Sequence, residues 1–429
     1  MTERMKLTEA LRAGAYDAAL SRIYAQDGSE AALSAARSRA LRLAETFEKT
    51  YGAADCTLFS APGRTEIGGN HTDHQHGHVL CGSVSADMLA CAAQNGSDEI
   101  RVLSDGYPPV TVSIRNLAPN KKEYGTTAGL VRGVAAGFAE RGFAPVGFDV
   151  CLTSSVLSGS GLSSSAAFEI LTGTILAHFV GCTIEATELA KLAQKAENEF
   201  FGKPCGLMDQ TACAVGGAIA VDFNDPAAPV VTRADYDFTR SGHKLCIIDT
   251  RSDHADLTDD YAAIPREMSA VAACFGKRFL RDVAESDFRA AIPEVRKTCG
   301  DRAVLRAIHF YAEDRRAVQE AEALQAGDFS RFLSIVNESG LSSELLLQNI
   351  WSPAHPERQA VSLALTVGRE LLNGAGAIRV HGGGFAGTIQ AFVPDALLTQ
   401  FREGIEAVLG EGTCHVYTIR PVGGWVFLP

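Results

Sequence analysis

Apolar residues recur at helical spacing through the first fifty residues. Leu20, Ile23 and Tyr24 mark one stripe, and Leu33, Leu41 and Leu43 stand among alanines on another, so Thr2 to Tyr51 is expected to be helical. The pattern then shortens into strand-like pieces at Thr57–Ser60, Val79–Leu80, Ile100–Leu103 and Val110–Ile114. Phe148–Leu152 alternates as a half-buried strand does and runs into a loop of glycines and serines, after which Ala166–Phe179 is an unbroken helical run. Glu185–Phe201 predicts a second helix, closed by Gly202-Lys203-Pro204. Leu245–Asp249 is a short apolar strand, and residues 260–332 turn helical and amphipathic. Strands return at Ile378–Val380, Thr388–Val393 and Cys414–Tyr417. With strands and helices in both halves and no internal repeat, the pattern predicts an α+β fold of two domains with a site between them.

Composition narrows the function. The 429 residues are 46 % hydrophobic and 21 % charged, ordinary for a folded enzyme. Acidic residues outnumber basic ones, 51 to 39, for a net charge of −12 without any strong Lys/Arg run, so nucleic acid and anionic membranes are not expected partners. No apolar stretch reaches the roughly 18 residues that a bilayer span needs. The start, MTERMKLTEALRAG, lacks the pattern of a secretory signal. Eleven cysteines without a C-x-x-C pair read as reduced thiols packed in a core. A cytoplasmic location is the expectation.

Three segments carry chemistry. Ser158-Gly159-Ser160-Gly161-Leu162-Ser163-Ser164-Ser165-Ala166-Ala167 lies between a strand and a helix. Small residues let the backbone curl round an anion, and the helix N-terminus aims free N–H groups at it. Neither G-x-x-x-x-G-K-[ST] nor a dinucleotide-binding G-x-G-x-x-G is present, and a flexible connector is the bland alternative. In the second, Ala61 to His74, Arg64 is suited to a phosphate or a catalytic carboxylate, and His71 and Asp73 to sugar hydroxyls. His76 and His78 extend the cluster, but its spacing matches no transition-metal motif. The third runs from Ala196-Glu197 to Cys205-Gly206-Leu207-Met208-Asp209-Gln210, where a carboxylate pair could supply a base and a magnesium ligand. Alone, an Asp after a turn is more often a helix cap.

Together the segments resemble the GHMP kinases and, within them, the galactokinases. Gly63 to His74 aligns without a gap to G-R-x-N-x-I-G-E-H-T-D-Y, and the serine loop to P-x-G-x-G-L-S-S-S-A-A. Glu197 to Gln210 resembles A-E … G-x-x-C-G-I-M-D-Q, and Arg379 to Gly387 resembles M-T-G-G-G-F-G-G. The matches keep family order over about residues 47–425, leaving 1–46 as an N-terminal helical extension, 47–225 as the N-terminal kinase domain and 226–429 as the C-terminal one.

The resemblance implies an ATP-dependent sugar 1-kinase, a soluble monomer or weak homo-oligomer. Its catalytic pair would be Arg64 and Asp209, the latter accepting the proton of the anomeric hydroxyl or orienting it. Gly159, Ser160, Gly161, Leu162, Ser163, Ser164 and Ser165 would hold ATP, and Ser165 and Glu197 would ligate Mg²⁺. Asn70, His71, Asp73, Gly206 and Tyr261 would contact the sugar. Among the departures from the pattern, Asn70 replaces Glu, His74 replaces Tyr and His381 replaces Thr. Galactose is the leading substrate. Galacturonate and N-acetylgalactosamine are the alternatives, since that Glu resembles a receptor for the 6-hydroxyl and plant galacturonokinases also lack it, with H-x-D-H-Q in its place. A sugar-sensing binding protein with this fold is a further alternative, opposed by the intact Arg64, Asp209, Glu197 and serine loop.

Overall fold

In the computed structural model, which describes residues 6–52, 55–156, 161–252 and 257–429, the helical start is three helices, α1 (Leu7–Arg12), α2 (Asp17–Tyr24) and α3 (Glu30–Tyr51). Ser29 caps α3 by accepting the Ala32 N–H. Then follow β1 (Thr57–Gly68), β2 (His78–Gln94), β3 (Glu99–Ser104), β4 (Val110–Ser113), α4 (Thr127–Glu140), β5 (Phe148–Ser154), α5 (Ser164–Val180) and α6 (Ala186–Lys195). The helix expected over 185–201 is α6 continued by a π-type turn, Ala196–Phe201, which ends at the left-handed Gly202. Next come α7 (Met208–Val215), β6 (Ala218–Asp222), β7 (Val230–Ala234) and β8 (His243–Asp249). The helical stretch is α8 (Thr258–Ala273), α9 (Glu285–Cys299), α10 (Asp301–Gln325) and α11 (Phe329–Ser342). The chain finishes with α12 (Ala360–Leu372), β9 (Ala377–Val380), β10 (Thr388–Pro394), α13 (Leu398–Leu409), β11 (Cys414–Tyr417) and β12 (Trp425–Phe427).

Among the described residues the strands form two sheets. The larger runs β12-β1-β2-β5-β3-β4, with β6 on the other half of the long β2 and β7 beyond it; β3 and β5 are parallel. The smaller, β11-β8-β10-β9, is antiparallel throughout. Two strands from beyond residue 225, β7 and β12, therefore lie in the larger sheet, where sequence order alone places them elsewhere. Pairing partners decide this, and a three-residue strand such as β12 has no periodicity to announce it.

β1 and β2 are apolar almost continuously because both of their faces are covered. Phe59, Ala90 and Ala92 pack under α4 to α7, while Leu58, Leu89 and Cys91 meet Leu11, Leu20, Leu43 and Phe47 of the N-terminal helices. A charged cluster fastens those helices. Asp87, fully buried on β2, accepts from Tyr24 at 2.5 Å, Arg39 at 2.5 Å, Arg420 at 3.2 Å and the Ser60 hydroxyl. Burial pushes the Asp87 carboxyl up, and Arg39 and Arg420 more than reverse this, so the group sits below its ordinary range. Asp87→Asn leaves two guanidinium groups short of a buried partner and is expected to cost about 3–5 kcal/mol, read from urea unfolding. An unchanged unfolding midpoint would show that the cluster does not hold the helices.

Candidate active site

β1 leads straight into the site. Gly63 lets the strand approach the serine loop, since a Cβ there would stand 2.8 Å from the Leu162 carbonyl. The next N–H, of Arg64, donates to that carbonyl at 3.0 Å. Arg64 Nε reaches Asp209 Oδ1 at 2.6 Å, and the same guanidinium donates to the Gly161 carbonyl. Ser163, left-handed at φ 56° and the N-cap of α5, donates its hydroxyl to the other Asp209 oxygen. Arg64, Asp209, Gly161 and Ser163, 145 residues apart at the extreme, thus meet at the N-terminus of α5. Burial raises the Asp209 carboxyl, but Arg64 and Ser163 outweigh it and the group is held below its ordinary range, ionised. Its side chain remains 28 % exposed. Leu162 is buried, and Ser164 and Ser165 begin α5. Gly159 and Ser160 lie outside the described residues.

In the first turn of α5 the Ser165 hydroxyl donates to Glu197 at 2.9 Å. Glu197 is almost fully buried on the π-type turn and also takes Lys203 at 3.3 Å and Gln210 Nε2 at 2.7 Å. Gln210 shares its amide with Glu169, a fully buried carboxyl whose second oxygen has no protein partner. Burial, with the charge of Glu197, holds Glu169 well above its ordinary range. Sequence reasoning missed Glu169 and gave Gln210 no role. The available signal was spacing, because Glu169 lies four residues after Ser165 and shares its helix face.

The segment after β1 carries two non-glycine left-handed residues, His71 (φ 59°) and His76 (φ 63°), the kind of strain concentrated at functional sites. Asp73 and Gly206 are neighbours on a cavity of about 440 Å³ that His74 and His76 also line. His71 donates Nε2–H to the Gly383 carbonyl at 3.0 Å, which leaves its buried Nδ1 a bare acceptor with no protein partner. Tyr261 donates to the Gly384 carbonyl at 2.8 Å. Asn70 is different. Its amide donates to Glu66 at 2.9 Å and the Gly382 carbonyl at 2.7 Å, and its oxygen accepts from Ser343 at 3.2 Å and Asn349 at 2.9 Å. That fills an amide's capacity, so the expected sugar contact is a fully buried side chain already satisfied by protein. Asn349 and Ser343, some 280 residues along the chain, had no local signal.

The galactokinase galactose-binding signature matches residues 45–94, and the GHMP kinases N terminal domain matches residues 129–217. A galactokinase of Streptomyces coelicolor is 31 % identical over 390 residues, covering 89 % of this chain and 96 % of the relative. The chain belongs to the galactokinase family. Membership makes it a phosphotransferase with a hydroxyl acceptor. Among solved structures, Lactococcus lactis galactokinase complexed with galactose superposes with a TM-score of 0.74 at 23 % identity, over 90 % of this chain and 98 % of that one. Methanococcus jannaschii mevalonate kinase gives 0.61 at 14 %, over 84 % and 98 %. At such identities these likenesses establish the two-domain fold. Among the described residues no helix is long and apolar enough to cross a membrane.

Two buried imidazoles near the candidate site are held neutral by their surroundings. His71 is pushed down to about 4 by burial and by His74, and His381, between the Thr65 and Thr388 hydroxyls, to about 3 by burial and by Arg64. Both values lie below the ordinary 6.5, so the unfolded chain binds protons that the folded one refuses. Their contribution is whole above pH 6.5 and is lost as pH falls toward 4. The thermal midpoint is expected to hold from pH 8 to 7 and to drop by several degrees by pH 5. A midpoint that rises over that interval would mean the histidines are charged in the fold.

Proposed function

We propose that the chain is an ATP-dependent sugar 1-kinase that converts galactose to galactose 1-phosphate. The carrying observation is the Arg64–Asp209 pair at 2.6 Å, set at the N-terminus of α5 beside the serine loop. Phosphoryl transfer asks mainly for positioning and for charge stabilisation, and both are arranged here. Asp209 accepts the anomeric hydroxyl's proton or aligns that hydroxyl, and the ionised state held by Arg64 suits it to the task. Arg64 then neutralises charge on the transferring group. The loop 159–165 supplies N–H and hydroxyl donors to the ATP phosphates.

Ser165 and Glu197 offer hard oxygen donors, with the unpartnered Glu169 oxygen behind them, and would hold Mg²⁺. Among the described residues no group of three or more His, Cys, Asp and Glu side chains is arranged for a metal. When bound, Mg²⁺ would neutralise phosphate charge. Asp73 and Gly206 line the proposed sugar cavity, and His71, through its bare Nδ1, and Tyr261 are proposed as further sugar contacts. The kinase unit is proposed as 47–225 and 226–429, the second part lending β7 and β12 to the larger sheet, with 1–46 as an added helical cover.

ADP release with galactose, N-acetylgalactosamine, galacturonate, glucuronate and arabinose tests the substrate, and galactose is expected to be fastest. No turnover with any sugar would sink the reading. Asp209→Asn removes charge and basicity and is expected to lower turnover by about 10²-fold or more while ATP still binds. A rate near the parent's would dismiss Asp209 as base. Arg64→Lys keeps charge without the planar fork and should cost at least about tenfold in kcat. Unchanged kcat would leave Arg64 a structural role.

A further inference from the structure

Asn70, His71 and Tyr261 converge on one object. Asn70 donates to the Gly382 carbonyl, His71 and Asn349 to Gly383, and Tyr261 to Gly384. Three successive carbonyls of a glycine turn between β9 and β10 are thus each gripped by a side chain from elsewhere. Gly382 and Gly384 are left-handed, at φ 64° and 80°, and so is Phe385 at 58°, so the turn does not hold its shape through local preference. The Phe385 N–H donates to the Asn349 carbonyl, which closes the grip.

Asn70 stands at its centre. The backbone there is fixed too, with the Asn70 carbonyl accepting from His309 at 3.0 Å and its N–H donating to Glu313 at 3.3 Å. The pattern G-R-x-N-x-I-G-E places an amide four residues before a carboxylate. In this chain the order is reversed, Glu66 then Asn70, and the two side chains bond each other at 2.9 Å. A carboxylate at 70 could not donate to the Gly382 carbonyl, whereas the amide does.

We propose that Asn70 is a positioning residue for the glycine turn 382–384, coupled to Glu66 and Asn349, and that it does not read the sugar's C6 group. This rests on the sugar-kinase reading only in taking that turn as part of the sugar site. C6 selectivity then falls to groups that keep free hydrogen-bonding capacity.

The test separates the two roles by measuring the protein without sugar. Hydrogen exchange of residues 383–387 is followed in the parent, in Asn70→Ala and, in case that variant folds poorly, in Asn349→Ala. Positioning predicts at least a fivefold faster exchange in both variants with no sugar present, whereas a sugar contact predicts no change. Glu66→Gln with Asn70→Asp restores an amide–carboxylate bond in the opposite sense. It should recover melting temperature relative to Asn70→Asp but not turn protection, since Gly382 still lacks its donor. Kinetics supply the second arm, comparing kcat/KM for galactose and 6-deoxygalactose. The parent's ratio should persist within twofold in Asn70→Ala, with the loss falling on kcat more than on KM. Unaltered exchange, or a ratio that collapses tenfold, overturns the proposal. Absence of turnover in the parent would instead fault the kinase reading and leave the exchange result standing.

Discussion

A guanidinium with no exposed surface organises the centre of this protein. Arg379, on β9 of the smaller sheet, donates to Glu66 at 3.1 Å and to the Ile67 carbonyl, both at the end of β1 in the larger sheet. Burying an ion without partners costs several kcal/mol, so the arrangement tolerates very few relative placements of the two sheets. Glu313 of α10 works alongside it. It accepts the Gly69 N–H, the Asn70 N–H, the Ser339 hydroxyl and Arg316. Burial alone would raise this carboxyl, yet Arg316, His309 and Arg379 hold it down to about 2. The segment from Glu66 to His71 is therefore clamped from both sides.

The proposed chemistry inherits that rigidity. Arg64 and Glu66 alternate along an unbroken stretch of β1 and share a face, so fixing Glu66 also fixes the strand that carries Arg64. Arg64 then sets Asp209, and the serine loop is gathered against both through Ser163 and Gly161. The electrostatics are correspondingly sharp. One carboxylate is held ionised beside its cation, while the nearby His71 and His381 are held neutral, so they orient groups without adding charge.

The N-terminal helices belong to the same logic from the other side of the sheet. Their apolar stripe covers a face of β1, β2, β5 and β12 that would otherwise meet water, and the Asp87 cluster fixes their seating. Arg420, close to the C-terminus, completes that cluster, so both ends of the chain are fastened to one buried carboxylate.

The sequence by itself determined what is local. Periodicity located most helices and strands, and small-residue spacing marked the serine loop and the turn before Asp209. Order and spacing of four motifs were enough for the family, because a backbone that must curl round phosphate or open a left-handed turn admits few residue types. Only the tertiary structure decided where side-chain hydrogen bonds end. The hydrogen bonds of the Asn70 side chain are completed by Ser343, Asn349 and Gly382, from more than 270 residues away. Glu169 became part of the site only when Gln210 joined it to Glu197. β7 and β12 entered the larger sheet through partners that their own few residues do not encode. Saturating a buried polar group depends on what packs against it, and packing partners are set by the whole fold.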